Sequence, residues 1–87
     1  MQSEQVPVFN CIVYVSPSAD GGMRARVANL PGIERTGSTE REALSKVVSA
    51  FKQCVSELLQ SNKPIPWIEP IAAAESGELQ RFIPVHL

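Results

Sequence analysis

Aspartate and histidine are scarce in this chain, and each scarcity removes a class of chemistry. Asp20 is the only aspartate among 87 residues, and His86 is the only histidine. Two-metal nucleases hold their ions with clustered carboxylates. Asp20 sits alone in the turn-like stretch SPSADGG, so no such cluster is expected and no catalytic residues are assigned. The two cysteines, Cys11 and Cys54, show no C-x-x-C spacing. With a single histidine they supply too few ligands for a zinc site, so no metal and no cofactor are expected. Both are expected to be buried free thiols.

Charge of one sign is missing as well. Eight Lys and Arg residues stand against nine Asp and Glu, a net charge of −1. That balance carries no electrostatic footprint for duplex nucleic acid or an anionic membrane. No apolar run approaches the ~20 residues of a membrane span. The opening MQSEQVPVF has neither a basic start nor an apolar core, so no secretory signal is expected and a cytoplasmic location is. Aromatics are few, five in all. A sheet that binds RNA needs an aromatic platform with basic flanks. Tyr14, Arg24 and Arg26 are the one candidate, and a solvated strand face explains them better. Phe9 and Phe82 are expected in the core. Direct DNA or RNA binding is therefore not expected.

What is present describes one small α+β domain spanning residues 1–87. The hydrophobic fraction is 44% and the charged fraction 20%, ordinary for a folded domain. VPVFNCIVYV (6–15) is apolar and β-branched along most of its length, as a central strand requires. A reversal at Asp20-Gly21 leads into MRARVANL (23–30), where Met23, Ala25 and Val27 share one face and Arg24 and Arg26 the other. Ile33 to Thr36 predicts a short third strand. Thr39 followed by Glu42 is a capping box, with the hydroxyl serving the Glu42 amide and the carboxylate returning to the cap amide. It starts a helix at Glu40. Leu44, Val47, Val48, Phe51, Cys54, Val55, Leu58 and Leu59 form its apolar face. Asn62 in a left-handed conformation and Pro64 end the helix near Ser61. Residues 62–70 are expected to be extended, and 71–79 to make a short helical turn ending at Gly77. LQRFIPVHL (79–87) reads as a last strand, placed at an edge because Pro84 lacks an amide donor. The order is β-β-(β)-α-β, an antiparallel sheet of three to four strands with one long amphipathic helix.

The stretch GIERTGST (32–39) matches the phosphate-binding loop G-x-x-x-x-G-K-[ST] at Gly32, Gly37 and Thr39, but Ser38 takes the lysine position. No large parallel sheet fits in so short a chain, and Glu34 inside the loop repels a triphosphate. The capping box gives the glycines another use. Gly32 closes a Pro-Gly turn, and Gly37 allows a sharp turn into the helix.

A wider window, ANLPGIERTGSTEREALSKVVSAF, resembles the core signature of the HicB antitoxin family, P-D-L-P-G-C-x-x-x-G-[DS]-T-x-x-E-A followed by an amphipathic helix. Leu30, Pro31, Gly32, Gly37, Thr39, Glu42 and Ala43 match position by position. Ile65 and Pro66 also match the family's G-x-x-I-P-x-P tail. The likeness runs from the first strand to about residue 67. Ala28-Asn29 stands in place of the family's Pro-Asp, Ile33 in place of Cys and Asn62 in place of Gly. The resemblance implies a partial ribonuclease-H-like fold without catalysis and a partner, the HicA-type ribonuclease toxin that cleaves messenger RNA. Family members often carry a C-terminal DNA-binding segment. The residues after Trp67 are too few for a helix-turn-helix, so no separate DNA-binding domain is expected here.

Two readings of function follow. One is a non-catalytic antitoxin that binds and neutralises a HicA-type toxin. The alternative is an orphan HicB-fold interaction domain with no toxin partner. Glu34, Glu69, Glu75 and Glu78 are candidates to face a basic partner, or else ordinary solvated surface. Trp67, in a proline-stiffened segment, is either a partner contact or part of the core. The broad helix stripe and the open edges of a small sheet further predict a homodimer or higher homo-oligomer.

Overall fold

The computed structural model describes residues 8–87; the expected strand start at Val6 and Pro7 lies outside them. Four strands and one helix follow in the order β1 (Val8–Pro17), β2 (Met23–Val27), β3 (Glu34–Gly37), α1 (Glu40–Gln60) and β4 (Leu79–His86). The sheet is antiparallel throughout, with spatial order β3-β2-β1-β4. This is the α+β layout that the sequence patterning predicts. The strand β1 is central, which explains why its residues are apolar on both faces. The strand β4 is an edge, and the edge position accommodates Pro84.

The helix lies across one face. Cys11, Val13 and Val15 of β1, Ala25 and Val27 of β2, and Ala43, Val47, Phe51 and Val55 of α1 form the core, joined by Leu30, Ile33 and Val85. The buried helix residues recur every four positions. Leu44, Val48 and Cys54 flank them half-buried, so Cys54 is not the buried thiol expected. Leu59 is exposed. Burial pushes the Cys11 thiol up to about 12, which keeps it protonated and inert.

Both helix ends follow the local chemistry. The Thr39 hydroxyl accepts from the Glu42 amide at 3.1 Å. The return bond differs from expectation. The Glu42 carboxylate accepts from the amide of Ser38 at 3.1 Å and from its hydroxyl, one residue before the cap. That amide holds the Glu42 carboxyl below its ordinary range, with Lys46 assisting. At the other end Asn62 is left-handed (φ 55). The Lys63 amide donates to the Leu58 carbonyl and the Asn62 amide to Leu59, the paired bonds of a Schellman stop. Gly37 has no positive φ. It is needed because a Cβ there would sit 2.7 Å from the Ala43 amide nitrogen and 2.9 Å from the Glu42 Cβ.

Residues 71–79 make no helix. They contain a turn in which the Glu78 amide donates to the Glu75 carbonyl, with Gly77 at φ 85. Among the described residues no helix is long and apolar enough to cross a membrane.

Candidate functional site

The sheet face opposite α1 carries the even-numbered side chains of β1 and β4, and the segment 62–78 crosses part of it. Its attachments are polar and specific. The Ile68 and Ala72 amides donate to the carbonyls of Asn29 and Ala28 at 3.0 and 3.1 Å. The Tyr14 hydroxyl donates to the Ala72 carbonyl at 2.7 Å. Arg26 completes the attachment. Its Nε and Nη2 each reach a Glu78 carboxylate oxygen at 2.6 Å, and Nη2 also donates to the Ala73 carbonyl at 3.0 Å. The guanidinium lies 5.0 Å from the centre of the Tyr14 ring. The Glu78 side chain is 2% exposed and that of Arg26 18%. This fork drops the Glu78 carboxyl to about 2, with the hydrogen bonds from Arg26 as the first cause.

These contacts revise two sequence expectations. Tyr14 is buried beneath the crossing segment, so Tyr14, Arg24 and Arg26 form neither a stacking platform nor a solvated strand face. Arg24 instead pairs with Glu34 at 3.0 Å, which raises the guanidinium's affinity for its proton and lowers that of the Glu34 carboxyl. Glu78 is likewise committed to Arg26 and does not face outward. Glu69 and Glu75 remain exposed.

Asn29 is a further organising residue. Its side-chain Nδ2 donates to the Asn10 carbonyl at 2.7 Å, and its Oδ1 accepts from the Ile12 amide at 3.2 Å. The side-chain amide thus satisfies β1 just past the end of β2, as another strand residue would. The sequence signals this only through the departure from Pro-Asp at 28–29, since an aspartate there supplies no donor.

Between β1 and the crossing segment lies an open cleft of about 410 Å³, lined mainly by Phe9, Ile12, Asn29, Trp67, Ile68 and Ile71. Trp67 is half-buried. Its ring centroid is 5.8 Å from Phe9 and 6.1 Å from Phe51, so it joins the core at the helix end and also walls the cleft. The core reading of Trp67 therefore holds in part, since the ring is half-buried against Phe9 and Phe51. Beside the cleft the sheet face is uncovered. Val8 is 50% exposed and Phe82 66%. Phe82 pairs in register with Ile12 on the side away from α1, so it is not the core residue expected.

The motif residues all serve the scaffold. Leu30 and Ala43 are fully buried. Pro31 and Gly32 (φ 82) make an exposed turn. Thr39 and Glu42 cap α1, and Gly37 passes close to it. A shallow hollow at this corner is lined by Asp20, Gly22, Gly37, Ser38, Glu42 and Lys46. Lys46 lies 3.5 Å from the Glu42 carboxylate, and that carboxylate already accepts from the Ser38 amide, so the corner of the phosphate-loop likeness is occupied by an acidic side chain. Among the described residues no three His, Cys, Asp or Glu side chains cluster as metal ligands do. Comparisons with known proteins find no matching family, no similar curated protein and no similar solved structure.

Proposed function

We propose that this chain is a non-catalytic protein-binding module of the HicB-like antitoxin type, acting in the cytoplasm to neutralise a small basic ribonuclease of the HicA type. The family part of the reading rests on the motif resemblance from Leu30 to Ala43. The observation that carries the binding part is the pair of exposed apolar side chains Val8 and Phe82 on the sheet face where half-buried Ile12 and the Trp67 cleft lie. Exposed contiguous apolar surface on a small domain marks an interaction site. Exposed Glu69 lines the same cleft, and Glu75 lies nearby in sequence. A basic partner complements them, since opposite charge speeds encounter and suppresses wrong docking. The module needs no cofactor and does not itself bind DNA or RNA. Independently of the toxin, the broad apolar stripe of α1 and the open edges of the small sheet support a homo-oligomer, most simply a dimer.

The test is co-expression with a neighbouring toxin-like gene. Rescued growth and a co-purifying complex support the reading, and Val8→Lys, a change at an exposed position, weakens the complex while leaving the fold intact. Cell death with a folded chain and no complex replaces it with the orphan interaction domain, as does the absence of such a gene. Metal-dependent RNA cleavage by the pure chain, lost in Glu42→Gln, refutes the non-catalytic part.

A further inference from the structure

The two edges of the sheet are not alike. The strand β3 has four residues, Glu34 to Gly37, with charged side chains at Glu34 and Arg35, and Lys46 donates to its Thr36 carbonyl at 3.2 Å. Short length, charge and an occupied carbonyl blunt an edge against pairing. The strand β4 has eight residues and a single Lys, Arg, Asp or Glu among them, Arg81, which is bound to Glu40 at 3.1 Å.

The ladder parity says which groups of β4 point outward. The Ala28 amide donates to the Ile12 carbonyl and the Ser18 amide to the Gly22 carbonyl, so even residues of β1 bond toward β2. Odd residues of β1 therefore bond toward β4, through the pairs Cys11–Ile83, Val13–Arg81 and Val15–Leu79. Alternate residues of an antiparallel strand turn their N–H and C=O to opposite sides. Gln80, Phe82 and Pro84 thus present their backbone groups at an edge that no other strand of the described residues occupies, Pro84 with a carbonyl and no donor.

We propose that this edge pairs with β4 of a second copy, antiparallel, about a two-fold axis through Phe82. The inference rests on the dimer reading above and not on the ribonuclease. Three observations select this register. With Phe82 opposite the partner copy's Phe82, each Gln80 amide donates to the Pro84 carbonyl across the axis. The missing Pro84 donor then leaves one carbonyl unserved on each side, that of Gln80, and Arg81 Nη1 already donates to it at 3.2 Å. Arg81 faces Ile83 across the axis and Leu79, 58% exposed, faces Val85, so no like charges oppose. Sliding the axis to Arg81 sets two arginines directly opposite, which is unfavourable, and asks the occupied Gln80 carbonyl to accept a second bond. Sliding it to Gln80 sets Phe82 against Glu78, whose amide already serves Glu75. The axis at Phe82 also brings the two exposed phenyl rings together on the open face, beside Ile12 of each copy, and joins two four-stranded sheets into one of eight.

Light scattering of the full chain should give twice the 9.5 kDa chain mass. In a Cys54→Ser background, Phe82→Cys should cross-link into a covalent dimer under mild oxidation, because Cα atoms of a facing bonded pair lie ~5.5 Å apart. Gln80→Cys, distant from its own copy in this register, should not. Phe82→Lys and Gln80→Pro alter only the outward side, so both should become monomeric with unchanged circular dichroism. A dimer that survives Phe82→Lys, or that cross-links through residue 80 and not 82, overturns this interface and leaves the dimer reading standing. A monomer at high micromolar concentration overturns both.

Discussion

Replacing Glu78 by glutamine keeps the side chain's size and removes its charge, so it isolates the electrostatic part of the Arg26 attachment. Holding a carboxyl at about 2 against its ordinary 4.5 corresponds to about 3 kcal/mol, at ~1.4 kcal/mol per pH unit. Glutamine retains one acceptor for Arg26, and the guanidinium keeps some contact with water, so the expected loss is nearer ~2 kcal/mol. For a domain of this size that is a fall of about 10 °C in Tm. The sign follows from the direction of the shift. The folded state holds the carboxylate ionised, so the contribution is whole above about pH 5 and disappears as pH falls from 4.5 toward 2. Urea unfolding of both proteins at several pH values measures the gap. Glu42 also has a lowered value, but its causes are common to both proteins and cancel in the difference; Glu34, held down first by its hydrogen bond from Arg24, feels Glu78 only as the last of its causes. The gap should be widest at neutral pH and close in acid. A gap of equal size at pH 7 and pH 2.5 would assign the loss to packing, and no gap at pH 7 would remove the ion pair from the account of what holds residues 72–78.

Three further substitutions test the scaffold by calorimetry or urea unfolding. Thr39→Ala removes the cap acceptor and should cost about 1 kcal/mol; an unchanged Tm would mean that α1 does not depend on this cap. Gly37→Ala should cost a few kcal/mol through collision with the Ala43 amide and the Glu42 side chain, and Gly37→Val more; a neutral alanine would show that the strand-to-helix passage is looser than described. Asn29→Asp should cost about 1–3 kcal/mol at neutral pH, because the Asn10 carbonyl loses its donor and gains an anionic neighbour; equal stability would show that β1 is satisfied by other means.

The sequence carries the elements of this fold well and their assembly less well. Thr39, Glu42, Asn62 and Pro64 delimit α1 because capping chemistry is local, and the alternation of Met23 to Val27 assigns the faces of β2 for the same reason. Long-range partners leave no such mark. Arg26 and Glu78 find each other only through the path of residues 62–78, which have no periodicity to read. Phe82 alternates correctly within β4. Whether its face is covered depends on where the crossing segment lies, and that segment turns toward Tyr14 and Arg26 instead. Gly37 was attributable to a turn, but its need for a missing Cβ comes from the proximity of α1, a tertiary fact. The cleft was visible only as Trp67, because Phe9, Ile12, Asn29 and Ile71 meet there from three separate stretches.

The placement of β1 at the centre of the sheet has a kinetic side. Its first neighbour, β2, is joined by a tight turn at Ser18–Gly22 and forms by local closure. Its second, β4, lies beyond the whole of α1 and the crossing segment, and closing so long a loop is slow because its entropy cost precedes any contact that offsets it. Until residues 79–86 arrive, the most apolar strand of the chain keeps one side unpaired, the condition under which folding intermediates aggregate. Refolding yield should therefore fall with protein concentration more steeply than native stability predicts, and substitutions that weaken β4 pairing should lower that yield before they lower Tm.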